Sequence, residues 1–250
     1  MKTLKIVSAL LMTAGLLYVP AFAAEGSSQL LASFQTERDV AAKELILDKL
    51  TQSYPDAGPA LLEVARSAGD SDTAWLAIRG IGHLRFKGAV PFLAQSLSSK
   101  HAYVRANSAR ALGEIKDTSV TSFLMQAIKN EKDGGVIEQM SLALTMLHAV
   151  ESVAVLKTKA LHSSAQTRTW VVGAVADLGK REDVPFLATY LDDKDHLVAM
   201  RAAEGIEQLT GQDFGFPPSV SGPPSQQREV AAIQRARTWW RQRQAAADRR

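Results

Sequence analysis

The chain has no cysteine among its 250 residues, which excludes disulfides, thiolate nucleophiles and thiolate metal sites together. Aromatic residues are scarce at 6%, so the core has to be built from aliphatic side chains. Long apolar runs are also lacking after the first two dozen residues, where the one run, Ile6 to Val19, is 14 residues long. That is short of the roughly 20 that a spanning helix requires. With Lys2 and Lys5 before it, Pro20 closing it and Ala21-Phe22-Ala23 after it, the segment reads as a signal peptide over residues 1–23. The expectation is export to the periplasm or the medium, with a soluble mature chain beginning near Ala24.

A strong excess of either charge is missing from most of the chain. Removing Lys2 and Lys5 lowers the formal charge from +3 to +1, and from Arg228 onward seven arginines face only Glu229 and Asp248, a local +5. The body before that tail is therefore about −4, which argues against a nucleic-acid partner.

What the chain does have is self-similarity. Val90-Pro91-Phe92-Leu93 and Leu97 open one amphipathic helix, and Val104 to Ile115 form a second. The opening returns at Val184-Pro185-Phe186-Leu187, with Leu191, Val198, Ala203, Ile206 and Leu209 in the corresponding places, a displacement of 94. Three periods of about 31 fit between, the size of a helical hairpin repeat. Phe123, Leu124 and Ile128, then Ala143, Leu144 and Leu147, supply one intermediate copy. Val155, Leu156 and Leu161 with Trp170 to Gly179 supply another, and Leu61, Leu62, Ile81, Gly82 and Leu84 the first. Two such helices cannot bury their own apolar faces, so stacked copies have to share one core.

The pattern predicts an all-α fold, an α-solenoid of about five helix pairs over residues 58–210. An N-terminal capping helix lies within 24–57 and runs from Thr36 to Tyr54 with Val40, Leu45, Leu47 and Leu50. A Pro/Gly/Ser linker over 211–225 leads to a basic C-terminal helix over 226–250. Gly80, Gly173 and Gly205 fall inside helices, where close helix packing offsets their cost of up to about 1 kcal/mol.

Val104-Arg105 and Ser108-Ala109-Arg110-Ala111-Leu112-Gly113 resemble the second helix of bacterial HEAT repeats of the phycobilisome-lyase type. The segment Leu209 to Pro217 and the helix ending in Trp239-Trp240 look like the tail of bacterial HEAT-repeat domain proteins. The resemblance implies an armadillo-like solenoid and, through its relatives, a lyase-like or chaperone-like subunit acting on a ligand as the alternative to a plain scaffold. The arginine that follows the valine is kept only at Arg105, with Ala74, Ile137, Val171 and Ala199 in its place elsewhere.

In such a solenoid the second helices line the concave face, and the ridge Asn107, Arg110 and Glu114 marks the exposed positions. Its counterparts are Leu76, Arg79 and His83; Gln139, Leu142 and Met146; Gly173, Ala176 and Lys180; and Arg201, Glu204 and Gln208. This mixture of charge, amide and apolar side chains suits a protein or peptide partner, against the plainer reading of a solvated face.

The histidines His83, His101, His148, His162 and His196 lie in different copies and not at ligand spacing, so no metal is expected. Asp192-Asp193-Lys194-Asp195 lacks the glycine and distal glutamate of a calcium loop and reads as a turn that caps the next helix. No nucleophile elbow or tuned carboxylate pair is present, so the reading is not an enzyme and calls for no cofactor. On the last helix Val230, Ile233, Arg237 and Trp240 share a stripe that fits a cap over the final copy. Alternatively Arg235, Arg237, Arg241 and Arg243, with Trp239, meet a membrane surface or an acidic partner.

Overall fold

The computed structural model describes residues 21–69, 71–216 and 226–249. Residues 1–20 of the expected signal peptide (1–23) and residues 217–225 of the expected linker lie outside the described residues.

Thirteen α-helices and no strand occur among the described residues. Five hairpins form the body: α3 (Gly58–Ser67) with α4 (Asp72–His83), α5 (Val90–Ser96) with α6 (Ala102–Ile115), and α7 (Thr121–Asn130) with α8 (Gly134–Met146). After them come α9 (Val153–Lys159) with α10 (Ala165–Leu178), and α11 (Val184–Ala188) with α12 (His196–Thr210). Before them stand α1 (Ala21–Thr36) and α2 (Val40–Ser53), and after them α13 (Gln226–Ala247).

Local sequence sets these boundaries. Pro59, Pro91 and Pro185 occupy first-turn positions of α3, α5 and α11, where the missing N–H costs nothing. The Asp39, Asp133, Ser164 and Asp195 side chains accept from free backbone N–H groups and start α2, α8, α10 and α12, each cap being worth about 1 kcal/mol. Asp195 thus gives the acidic turn its capping role.

Between hairpins, Arg85, Lys116 and His148 take left-handed φ values of 50°, 58° and 52°, and each leads into a short 3-10 turn that starts the next first helix.

The apolar faces join into one continuous core from Phe34 through Leu61, Leu93, Leu124, Leu156 and Leu187 to Ala236. Second helices approach one another closely. A methyl on Gly82 would lie 2.9 Å from the Ala111 Cα, one on Gly113 2.8 Å from the Ala143 Cα, and one on Gly205 2.5 Å from the Ala176 Cβ. The first helices α5, α9 and α11 are only five to seven residues long. The second helices α4, α6, α8, α10 and α12 thus form one closely packed row.

Three expectations change at the ends and in the fourth copy. The N-terminal cover is two helices rather than one, and within α2 Leu47 and Leu50 are buried whereas Val40 and Leu45 are exposed, because α2 turns its Leu47 face to Gly80 of α4. Leu161 is 84% exposed, and Ala160 takes the core place beside Leu156. Of the helical glycines, Gly80 and Gly205 mark helix crossings, while Gly173 makes room for the Arg201 side chain, 2.8 Å from where a methyl would stand.

Candidate functional site on the second-helix face

The face presented by the second helices is organised at two places. Between α6 and α8 an open cavity of about 470 Å³ is bordered by Tyr103, Asn107, Arg110, Asp133, Glu138 and Gln139. Across α8, α10 and α12 a cavity of about 250 Å³ is lined by Leu142, Thr145, Thr169, Trp170, Gly173, Ala174, Asp177 and Arg201.

Most ridge residues named from the sequence lie on this face. Asn107 donates to the Tyr103 carbonyl at 2.8 Å, and Arg110 pairs with Glu114 at 2.9 Å one turn on. Arg79 reaches back to Glu44 of α2 at 2.7 Å, so the N-terminal cover already holds the ridge of the first copy. His83 and Gln208 are exposed, and Gln139 and Leu142 line the cavities. Met146 is half-buried with its sulfur against Gly113. Arg201 pairs with Glu204 at 3.0 Å and lies 3.9 Å from Asp177.

Three ridge assignments are corrected. Leu76 is 0% exposed, because it sits one turn before Gly80 on the side of α4 that α2 covers. Ala176 is buried where α10 crosses Gly205 of α12, and Lys180 lies beyond the end of α10. The last two share one cause. The α10 ridge sits three residues earlier than the sequence register placed it: α6 begins at Ala102 and α10 at Ala165, which makes Trp170, Gly173 and Asp177 the counterparts of Asn107, Arg110 and Glu114. Trp170, 44% exposed, is therefore the main residue that the sequence register missed. Trp75 and Tyr103, stacked at 6.2 Å, form a second aromatic element, visible in the sequence only as isolated aromatics near helix starts.

The same shift restores a polar ladder. Arg168, not Val171, is the equivalent of Arg105. Arg105 donates to both Glu131 oxygens at 2.7 and 3.1 Å and to the Ser99 carbonyl at 2.8 Å. Arg168 donates to both Asp193 oxygens at 2.8 Å and to the His162 and Ser163 carbonyls at 3.1 and 2.8 Å. Each guanidinium ties its own hairpin turn to the carboxylate of the next hairpin. Burial pushes the Glu131 carboxyl up, but hydrogen bonds from Arg105 and the Asp133 and Lys132 N–H groups together hold it below its ordinary value.

At the C-terminal end Ile233 and Ala236 are buried, and Trp239 meets Phe214 edge-on at 5.7 Å. The arginines there do not all point to water. Arg235 donates to the Phe214 carbonyl at 2.6 Å, Arg237 binds the Leu191 carbonyl and Asp192, and Arg243 lies 4.8 Å over the Trp239 ring. His196 bonds Glu229 at 2.8 Å. Among the described residues no group of three histidine or carboxylate side chains is gathered to hold a metal, and no helix is long and apolar enough to cross a membrane.

A family model described as HEAT repeats matches residues 58–145, which are the first three hairpins. Among solved structures, the complex of CpcE and CpcF of phycocyanin lyase from Nostoc sp. PCC7120 is similar at 15% identity and a TM-score of 0.52, over 85% of this chain and 93% of that one. A designed armadillo repeat protein aligns at 16% identity over 84% of this chain and 98% of its own, with a TM-score of 0.41. Human deoxyhypusine hydroxylase in complex with glycerol aligns at 15% identity over 86% and 96%, with a TM-score of 0.40. A search of the curated proteins finds no match. Residues 58–145 thus match HEAT repeats, and the chain as a whole has a solenoid fold like that of the phycocyanin lyase complex.

Proposed function

We propose that the protein is an exported, non-catalytic scaffold that holds an extended segment of a partner protein along its second helices, with the Trp170 cavity as the anchor. The observation that carries this reading is the composition of that cavity. Leu142, Trp170 and Ala174 give it an apolar wall, and Arg201 with Asp177 stands at its edge. About 250 Å³ accommodates one large apolar side chain rather than a cofactor, since pockets for drug-sized ligands run from about 300 to 1,000 Å³. Tryptophan and arginine are the residue types that dominate binding energy when they sit centrally on a surface. Gln139, Asn107 and Arg110 extend the face with polar groups for a peptide backbone.

Selection of displayed peptides on the purified chain tests the reading. Recovered sequences sharing one large apolar residue, and losing binding to a Trp170→Ala variant, support it; sequences indifferent to that substitution contradict it. Export is tested separately by the intact mass of the chain from the extracytoplasmic fraction, expected to start near Ala24.

A further inference from the structure

A third cavity, separate from the two on the second-helix face, lies where α13 docks on the end of the solenoid. It measures about 240 Å³ and is bordered by Arg181, Thr210, Gln212, Trp239, Trp240 and Arg243. We propose that this cavity binds a carboxylate side chain from an acidic segment of a partner protein.

Two guanidinium groups border the same small space, and none of the residues lining it is acidic. Neither Arg181 nor Arg243 forms an ion pair among the described residues, whereas Arg79, Arg105, Arg168, Arg201 and Arg237 all do. Each of the two is nevertheless oriented by one contact. Arg181 donates to the Thr210 carbonyl at 2.9 Å, and the Arg243 guanidinium lies 4.8 Å over the Trp239 ring. Orientation in advance lowers the entropy lost on binding, and the remaining N–H groups form the planar fork that a carboxylate accepts from in pairs. Two like charges around one cavity also raise the local potential for an anion.

An acidic peptide fits better than a bilayer. A helix that lies on a membrane needs an exposed apolar edge to insert. Trp239 is engaged with Phe214 and Arg243, and Trp240 is half-buried. Beyond Trp240 the described residues 241–249 carry no apolar side chain larger than alanine.

The test is calorimetry on the full chain with hexaglutamate, hexaglutamine and phosphatidylserine-containing vesicles. Hexaglutamate is expected to bind, and the double variant Arg181→Gln/Arg243→Gln to weaken it about tenfold or more, whereas Arg249→Gln, which removes one charge at the far end of α13, changes it less than about twofold. Circular dichroism confirms that the variants keep their helix content, as substitutions at exposed positions should. Absence of hexaglutamate binding, equal weakening by Arg249→Gln, equal binding of hexaglutamine, or capture by the vesicles alone overturns the proposal.

Discussion

Arg168 holds Asp193 through two parallel hydrogen bonds of 2.8 Å, with the two side chains only 9% and 10% exposed. The pair fastens the fourth hairpin to the turn that opens the last helix of the fifth. Removing one partner leaves a buried charge uncompensated, so Arg168→Met is expected to lower stability by about 3–5 kcal/mol at neutral pH. Denaturant unfolding measures it.

The same pair fixes a pH dependence. Arg168 above all, against a smaller opposing effect of burial, holds the Asp193 carboxyl below its ordinary value. A carboxyl whose value is lowered by folding contributes stability that is complete above the unfolded value of about 3.9 and is lost as pH falls through the folded one. Stability of the native chain should therefore drop steeply below about pH 4, and the deficit of Arg168→Met should narrow there. A deficit unchanged at low pH would contradict the assignment.

Close packing of the second helices gives a further prediction. In Gly113→Ala the new methyl would lie 2.8 Å from the Ala143 Cα, and backbone cannot give way cheaply, so the expected loss is about 1–3 kcal/mol. Gly135→Ala places its methyl no nearer than 3.4 Å, against the Asp133 carboxylate, and should be neutral or up to about 1 kcal/mol more stable. Thermal unfolding of the two variants side by side separates packing from propensity.

The C-terminal cap is tested at Ile233, 3% exposed where α13 meets α12. Ile233→Ala removes buried methyl groups and should weaken docking by about 2–4 kcal/mol. Hydrogen exchange should then show loss of protection confined mainly to α13 and the end of α12; uniform loss along the solenoid would mean the cap folds as one unit with the distant hairpins.

The repeat was legible because apolar period reports directly on burial: Leu93, Leu124, Leu156 and Leu187, one from each of four successive first helices, are all fully buried. The candidate face was legible only where register was secure. Within the fourth copy Leu161 resembles the Leu97 position by type, yet the core place falls to Ala160, and alanine gives a weak apolar signal. The displaced register hid both Arg168 and Trp170. Leu76 went astray for a different reason, since its burial comes from α2, an element outside the repeat, which no repeat alignment can supply. The bonds of Arg235 and Arg237 to the Phe214 and Leu191 carbonyls depend on how α13 docks, which the helical stripe alone does not fix.

Partner binding at the second-helix face should depend on Trp170 far more than on overall fold. Trp170→Ala, at a part-exposed site, is expected to cost the solenoid less than about 1 kcal/mol but to reduce affinity for a selected peptide by at least about 2 kcal/mol, roughly thirtyfold.

The most direct measurement places a photocrosslinking amino acid in cells at Thr145, which lines the same cavity and leaves Trp170 in place, and compares its adducts with those from Leu161, 84% exposed on a hairpin turn. A discrete protein adduct formed from position 145 and not from 161 is the expected result. Identical adducts from both positions, or none from 145, would contradict a partner seated on the second helices.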